Sequence, residues 1–219
     1  MRTISTVVEE IISRSPFLSE ALTEDVANHA KIARMIKPQI EKRLYEEVSE
    51  PAVAMALRRL AKNLPKRSFG ASFLNKLNDM TVRSNLAEFI FRTSPQLPAL
   101  HLKILDMLRN KTELYLHLSY GLHESIVVVS SEIAEEVGNV LKNEQRFKKI
   151  DALSSITLRL PEESLTVPGV YYPILKALAW EGINFIEILS SSTELTILFD
   201  SKDIDRAFAV LKRITTPES

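Results

Sequence analysis

Two stretches of this 219-residue chain superpose at a fixed offset of 70 residues. Pro98 falls on Pro168, Ile104 on Ile174, Leu105 on Leu175 and Leu108 on Leu178. Further along, Glu124 matches Glu194, Ser131 matches Ser201, and Val140, Leu141 and Lys142 match Val210, Leu211 and Lys212. An internal repeat of this kind constrains a fold more than any short motif, because one supersecondary unit must bury the same face twice. Each copy reads as strand, helix, strand, strand, helix. In the first copy these are "NLAEFIF", "PALHLKILDMLRN", "TELYLHLSY", "ESIVVVS" and "SEIAEEVGNVLK". In the second they are "SSITLRL", the segment after Pro168, "NFIEILS", "ELTILF" and "SKDIDRAFAVLKRI". The pattern predicts helices around 98–109, 131–142, 169–181 and 201–213, and the repeat reads without a gap.

The residues ahead of the repeat have another character. In "ISTVVEEIISRS", Ile4, Val7, Val8, Ile11 and Ile12 recur at helical spacing, and Pro16 closes the segment. "FLSEAL", "NHAKIARMI" and "PQIEKRLYEEV" follow, the last opened by Pro38 in a first-turn position. "SEPAVAMALRRLAKNLP" then has Ser49 as its N-cap, Pro51 in its first turn and Pro65 as its stop. This region is a small all-α module. Between Pro51 and Asn78 the chain carries six basic residues and no acidic one. Arg58, Arg59 and Lys62 fall opposite the apolar Val53, Ala56, Leu57 and Leu60. With "PKRSFGASF" behind the helix, the outline resembles a winged helix-turn-helix. That resemblance implies duplex DNA as a partner, with Lys66 and Arg67 of the wing on phosphate. An ordinary basic helix surface, or a protein-docking one, accounts for the same residues.

The segment "VPGVYYPILKALAWEGIN" spends two of the chain's five glycines. Gly169 precedes a helix whose Val170, Ile174, Ala177 and Leu178 face the sheet, and Gly182 is placed to be its left-handed C-terminal stop. Trp180 is expected at the edge of the core. A helix N-terminus beside an open loop presents unpaired N–H groups suited to a carboxylate; a turn and a cap alone explain the same glycines. From Val167 to Lys212 the sequence resembles the ACT domain, and most closely the ACT modules of aspartokinases. The resemblance rests on Pro168-Gly169-Val170, Gly182-Ile183-Asn184, the serines 190–192 and the acidic start at Asp200 to Asp205. It implies an α+β fold of two tandem ferredoxin-like (βαββαβ) modules, and so eight strands within 81–213. It also implies edge-to-edge pairing into a homodimer and a small amino-acid-type effector, held at Val167, Pro168, Gly169, Val170, Ile183 and Asn184. The first copy, with Pro98-Ala99 and Thr112-Glu113-Leu114, lacks that signature and reads as a structural partner.

The expected organisation is a winged-helix-like domain over 1–80, a first ACT-like module over 81–150 and a second over 151–219. Lysine and arginine (28) balance aspartate and glutamate (28) over the whole chain, so no global field points to nucleic acid. The absence of cysteine excludes disulfides and thiol catalysis. No histidine pair has metal-ligand spacing, so neither a metal nor another cofactor is expected. His117, alternating with Leu116 and Leu118, is expected to face solvent or a partner strand. No phosphate loop, dinucleotide fingerprint or nucleophile elbow is present, and nothing argues for an enzyme. A cytoplasmic location without a membrane span is the expectation. The functional reading is a regulator that senses an amino-acid-type ligand and acts through its helical half, on DNA in one version. The alternatives are a ligand-free assembly protein or a regulatory subunit of a separate biosynthetic enzyme.

Overall fold

The computed structural model describes all residues except Met1, 65–73, Asn75, Asn78, Asn110, Thr112, Arg146 and 217–219. The chain divides into two compact units, Met1–Ser68 and Phe69–Ser219.

In the first unit four helices pack on one apolar core: α1 (Ile4–Ser13), α2 (Pro16–Thr23), α3 (His29–Leu44) and α4 (Glu50–Asn63). Side-chain caps start three of them. The N–H groups of Thr6, Lys31 and Ala52 donate to the side chains of Thr3, Asn28 and Ser49. The core joins Val7, Val8, Ile11 and Ile12 of α1 to Ile32, Ile36 and Ile40 of α3 and to Val53 and Leu57 of α4. One boundary differs from the sequence reading. Pro38 lies inside α3 and does not open a new helix. It removes one backbone hydrogen bond, but Ile36 and Ile40 on either side of it are both buried in the core, and their burial carries the helix through.

The second unit is built on one six-stranded antiparallel sheet. Its elements in chain order are β1 (Met80–Arg92), α5 (Leu97–Met107), β2 (Leu116–Tyr120), β3 (Glu124–Ser130) and α6 (Ala134–Leu141). Then come β4 (Lys148–Arg159), α7 (Tyr172–Trp180), β5 (Glu187–Ser190), β6 (Glu194–Asp200) and α8 (Ile204–Thr215). The strand order is β2-β3-β1-β4-β6-β5.

Six strands stand where eight were expected, and the register shows why. β1 and β4 are long, at 13 and 12 residues, and they pair antiparallel along most of their length. The stretch 148–153 borders the first half beside 86–90, while 80–83 borders the second half beside 155–158. Each half thus takes its fourth strand from an extension of the other's first strand. Where the two extensions meet, Asn85 and Ala152 both adopt left-handed backbone (φ 58° and 57°), and Leu86 faces Leu153 across the ladder. The register shifts at this point, the mark of a bulge that adds local twist.

The repeat is also not gapless. Residues 86–92 and 153–159 show the same sequence of buried and exposed positions, at an offset of 67. From β3 and β6 onward the offset is the expected 70. Three extra residues enter the second copy between its first strand and its helix, in the segment holding the turn Glu162–Thr166 and the Pro168-Gly169 loop.

Helices cover one face of the sheet. Ala87, Phe89, Phe91, Val127 and Val129 pack with Leu97, Ile104, Val137 and Leu141. In the second half Ile156, Leu158, Ile197 and Phe199 pack with Ile174, Leu178, Ala207 and Leu211. Each fully buried Val, Leu, Ile or Phe side chain there contributes roughly 1.5–3 kcal/mol. The opposite face carries a smaller cluster around Leu86, Val128, Leu153, Leu189 and Leu198.

Candidate functional site

The six residues expected to hold an effector occupy the two ends of α7. Ahead of the helix, Val167 closes the turn Glu162–Thr166, and its N–H donates to the Ser164 carbonyl. Pro168 and Gly169 are exposed, and Val170 is buried in the core. Gly169 has φ +75°, a conformation that a β-branched residue resists strongly. Its carbonyl accepts from the N–H of Tyr172, where the helix begins. The helix therefore starts three residues later than the 169 expected, because Pro168-Gly169 forms a turn of its own. No side chain caps α7, and Pro173 removes one N–H from its first turn. What this end of the helix presents to solvent is the exposed Pro168-Gly169 turn. Beside it the Tyr171 hydroxyl donates to Ser190 Oγ (3.2 Å).

At the other end, Gly182 (φ +64°) donates to the carbonyl of Ala179, and Ile183 donates to that of Leu178. This is the Schellman arrangement, completed by packing of Ile183 in the same cluster as Leu178. Arg206 of α8 donates to the Glu181 carbonyl (2.9 Å), and Arg213 pairs with the Glu181 carboxylate. Both cations favour the negative end of α7. The chain then leaves through an exposed Asn184 toward β5. Trp180 is 78% exposed and not at the core edge, because it lies on the helix side away from Ile174 and Leu178. In the first copy α5 begins at Leu97 after Gln96, without a left-handed residue at its head.

On the helical unit, Arg58, Arg59 and Lys62 are exposed along α4, as their spacing predicts. With Leu22, Thr23, Asp25, His29 and Ala61 they line a groove of about 450 Å³. Arg59 also donates to Ser5 Oγ (3.1 Å). Lys66 and Arg67, and with them the expected wing, lie outside the described residues. Lys76 is bound to Glu163 at 2.8 Å, so that part of the basic run is spent on an ion pair. A second, apolar groove of about 660 Å³ runs between α2 and α3, lined by Phe17, Leu18, Val26, Ile32 and Met35.

One charged residue went unnoticed in the sequence. Glu88 of β1 is fully buried on the helix-free face, and neither carboxylate oxygen has a hydrogen-bond partner. Burial first, and then the nearby Glu187 carboxylate, push its carboxyl up to about 7, with Lys148 acting in the opposite direction. Its signal was present in "NLAEFIF", where Glu88 shares the alternation of Leu86 and Ile90 and so occupies an inward position. His117 lies on the same face, and burial pushes its imidazole below the usual histidine range, with Glu187 opposing. Among the described residues no cluster of three metal-binding side chains occurs, and no helix is long and apolar enough to cross a membrane.

The second unit is thus a six-stranded antiparallel sheet with paired helices on one face, built from two like halves. Comparison with solved structures finds a similar fold in a regulatory subunit of an aspartate kinase and in whole aspartate kinases. The ligand-free regulatory subunit of aspartate kinase from Thermus thermophilus matches 63% of this chain and 97% of its own, with 13% identity and a TM-score of 0.50. The aspartate kinase of Clostridium acetobutylicum matches 64% of this chain at 13% identity and a TM-score of 0.53. That of Synechocystis matches 65% at 16% identity and a TM-score of 0.52. This chain covers only 35% and 28% of those two kinases. At such identities the likeness establishes the fold alone. No family model and no curated protein matches the sequence.

Proposed function

We propose that this chain is a cytoplasmic, non-catalytic regulatory protein that binds a small amino-acid-type effector on its second unit and acts through its helical unit. Residues 81–150 and 151–219 are read as two ferredoxin-like ACT modules that lend each other a strand, and a homodimer forms through them. The observation that carries this reading is the fold's likeness to a regulatory subunit, matched over 97% of that subunit's length. The local geometry of α7 supports it. The exposed left-handed turn at Gly169 ahead of α7 suits a carboxylate, and the exposed Asn184 amide, at the opposite end of this nine-residue helix, supplies a polar contact only where two copies pair. Val167, Pro168, Val170 and Ile183 shape the apolar walls. The first module, lacking a left-handed residue at its helix head, serves as the structural partner.

A thermal-shift screen of the twenty amino acids tests the reading. Gly169→Val and Asn184→Ala should abolish the shift, each judged against its own baseline, while Ala99→Val and Leu114→Ala should keep it.

A DNA-directed output is the second reading, favoured by the exposed Arg58, Arg59 and Lys62 along one groove. Lys66 and Arg67 extend the same basic run in sequence. Replacing Arg58, Arg59 and Lys62 with alanine should weaken binding to random duplex and flatten its salt slope by up to about three units. Wild-type protein without affinity for duplex at low salt removes DNA and leaves a protein partner as the target.

A further inference from the structure

The helix-free face of the sheet holds its polar residues in rows fixed by strand register. One row runs Ile150, Glu88, Val128, His117 across β4, β1, β3 and β2. Another runs Arg83, Ser155, Leu198, Glu187 across β1, β4, β6 and β5. By strand order β2 and β5 are the two outer edges of the sheet. Yet Glu187 of β5 acts electrostatically on both Glu88 and His117. Glu194 of β6 likewise acts on Tyr115, just ahead of β2. Tyr115 and Ile126 from one side share an apolar cluster with Ile186 and Leu189 from the other. The two edges therefore converge over this face, and Glu88 lies beneath them.

The surroundings of Glu88 do not suit a charge. Leu86 and Ile90 of its own strand, Val128 of β3 and Ile150 of β4 are apolar neighbours. The charged and titratable groups facing it are Lys148 of β4, His117 of β2 and Glu187 of β5, with Tyr115 and Arg83 paired farther along the face at 5.7 Å. Lys148 alone stabilises the anion. Burial keeps His117 neutral to lower pH than usual, so it offers no cation near neutrality. A buried carboxyl without partners is tolerated when it is protonated and is expensive when it is not.

We propose that Glu88 and Glu187 form a proton-operated latch, in which β2 and β5 close over a protonated Glu88 and separate when it ionises beside Glu187. The closed state holds its proton between the ordinary carboxyl value of 4.5 and about 7. Closure is therefore fully favoured below 4.5 and is lost as the pH rises through about 7. Asn184 lies on the approach to β5, so the latch bears on the candidate effector loop, although its test needs no effector.

Hydrogen exchange on the full chain, corrected for intrinsic rates, reads the latch directly. The amides of Leu116–Tyr120 and Glu187–Ser190 should lose about ten-fold in protection between pH 6 and pH 8 relative to those of β3 and β6. Glu88→Gln should keep protection equal at both pH values. Glu187→Gln removes a like charge and should move the loss to lower pH. Protection in the wild type that does not change with pH, or a change that persists in Glu88→Gln, overturns the latch. The Glu187→Gln displacement is measured independently, so if Glu88→Gln folds poorly, an unmoved midpoint in Glu187→Gln still overturns it.

Discussion

Two glycines in the second unit should respond in opposite directions to the same substitution. Gly138 lies inside α6, where its backbone is ordinary helix. A methyl group there would meet only the Phe89 ring, at 3.5 and 3.8 Å, which is normal van der Waals contact. Glycine costs a helix interior about 0.8–1.0 kcal/mol relative to alanine, so Gly138→Ala should stabilise by roughly that amount. Gly182 has φ +64° and nothing within 4 Å of the added methyl. Its substitution therefore isolates the backbone effect. The left-handed conformation costs an L-residue about 1–2 kcal/mol, offset by about 0.4–1 kcal/mol from the stiffer unfolded chain. Gly182→Ala should destabilise by roughly 1 kcal/mol, and the two variants should differ by about 2 kcal/mol. For a chain of this length that separates their melting temperatures by about 4–8 °C. Thermal denaturation followed by circular dichroism measures it. Equal shifts, or shifts of the same sign, would refute the reading of Gly182 as the C-terminal stop of α7.

The remaining expectations concern the sheet and its helices. Ala152, left-handed at the bulge where the strand extensions meet, should gain roughly 0.5–1 kcal/mol on replacement by glycine; a loss in chemical denaturation would contradict the strain. Ile104→Ala and Ile174→Ala, both at fully buried repeat-equivalent positions, should each cost about 2–5 kcal/mol. A large effect at only one of them in the same assay would mean that the two halves are not packed alike. Gly121→Ala would press a methyl group against the Glu124 carbonyl in the β2–β3 turn. It should lower the denaturation midpoint more than Gly182→Ala does.

The helices and six strand segments were legible because apolar spacing alone placed Ile104 with Ile174 and Val127 with Val129 on buried faces. Capping was equally plain: Ser49 and Gly182 stand where their chemistry puts them. What the sequence hid was long-range. The extension of β1 back to Met80 carries exposed residues such as Arg83, so no apolar alternation announces it. Its partner is 155–158, and only register reveals that one strand borders both halves. The same holds for Glu88 and Glu187, about a hundred residues apart in sequence, which the convergence of two edge strands brings together. Pro38 misled because proline is a helix breaker by local rule, and burial of Ile36 and Ile40 overrides that rule. Gly169 was legible as a place where the backbone needs glycine, but the three-residue insertion around it was not, since identities in the helices set the offset alone.

The central claim, that the Pro168-Gly169 loop and Asn184 bind an amino-acid-type effector, is tested most directly by the melting temperature of the full chain with each of the twenty amino acids. At 100 times its dissociation constant the true effector should add about 2.7 kcal/mol of stability, a rise of about 5–11 °C. That rise should vanish in Gly169→Val. If no amino acid moves the wild-type transition, the loop is a turn and the uncapped helix head is empty, and the assembly reading replaces the sensing one.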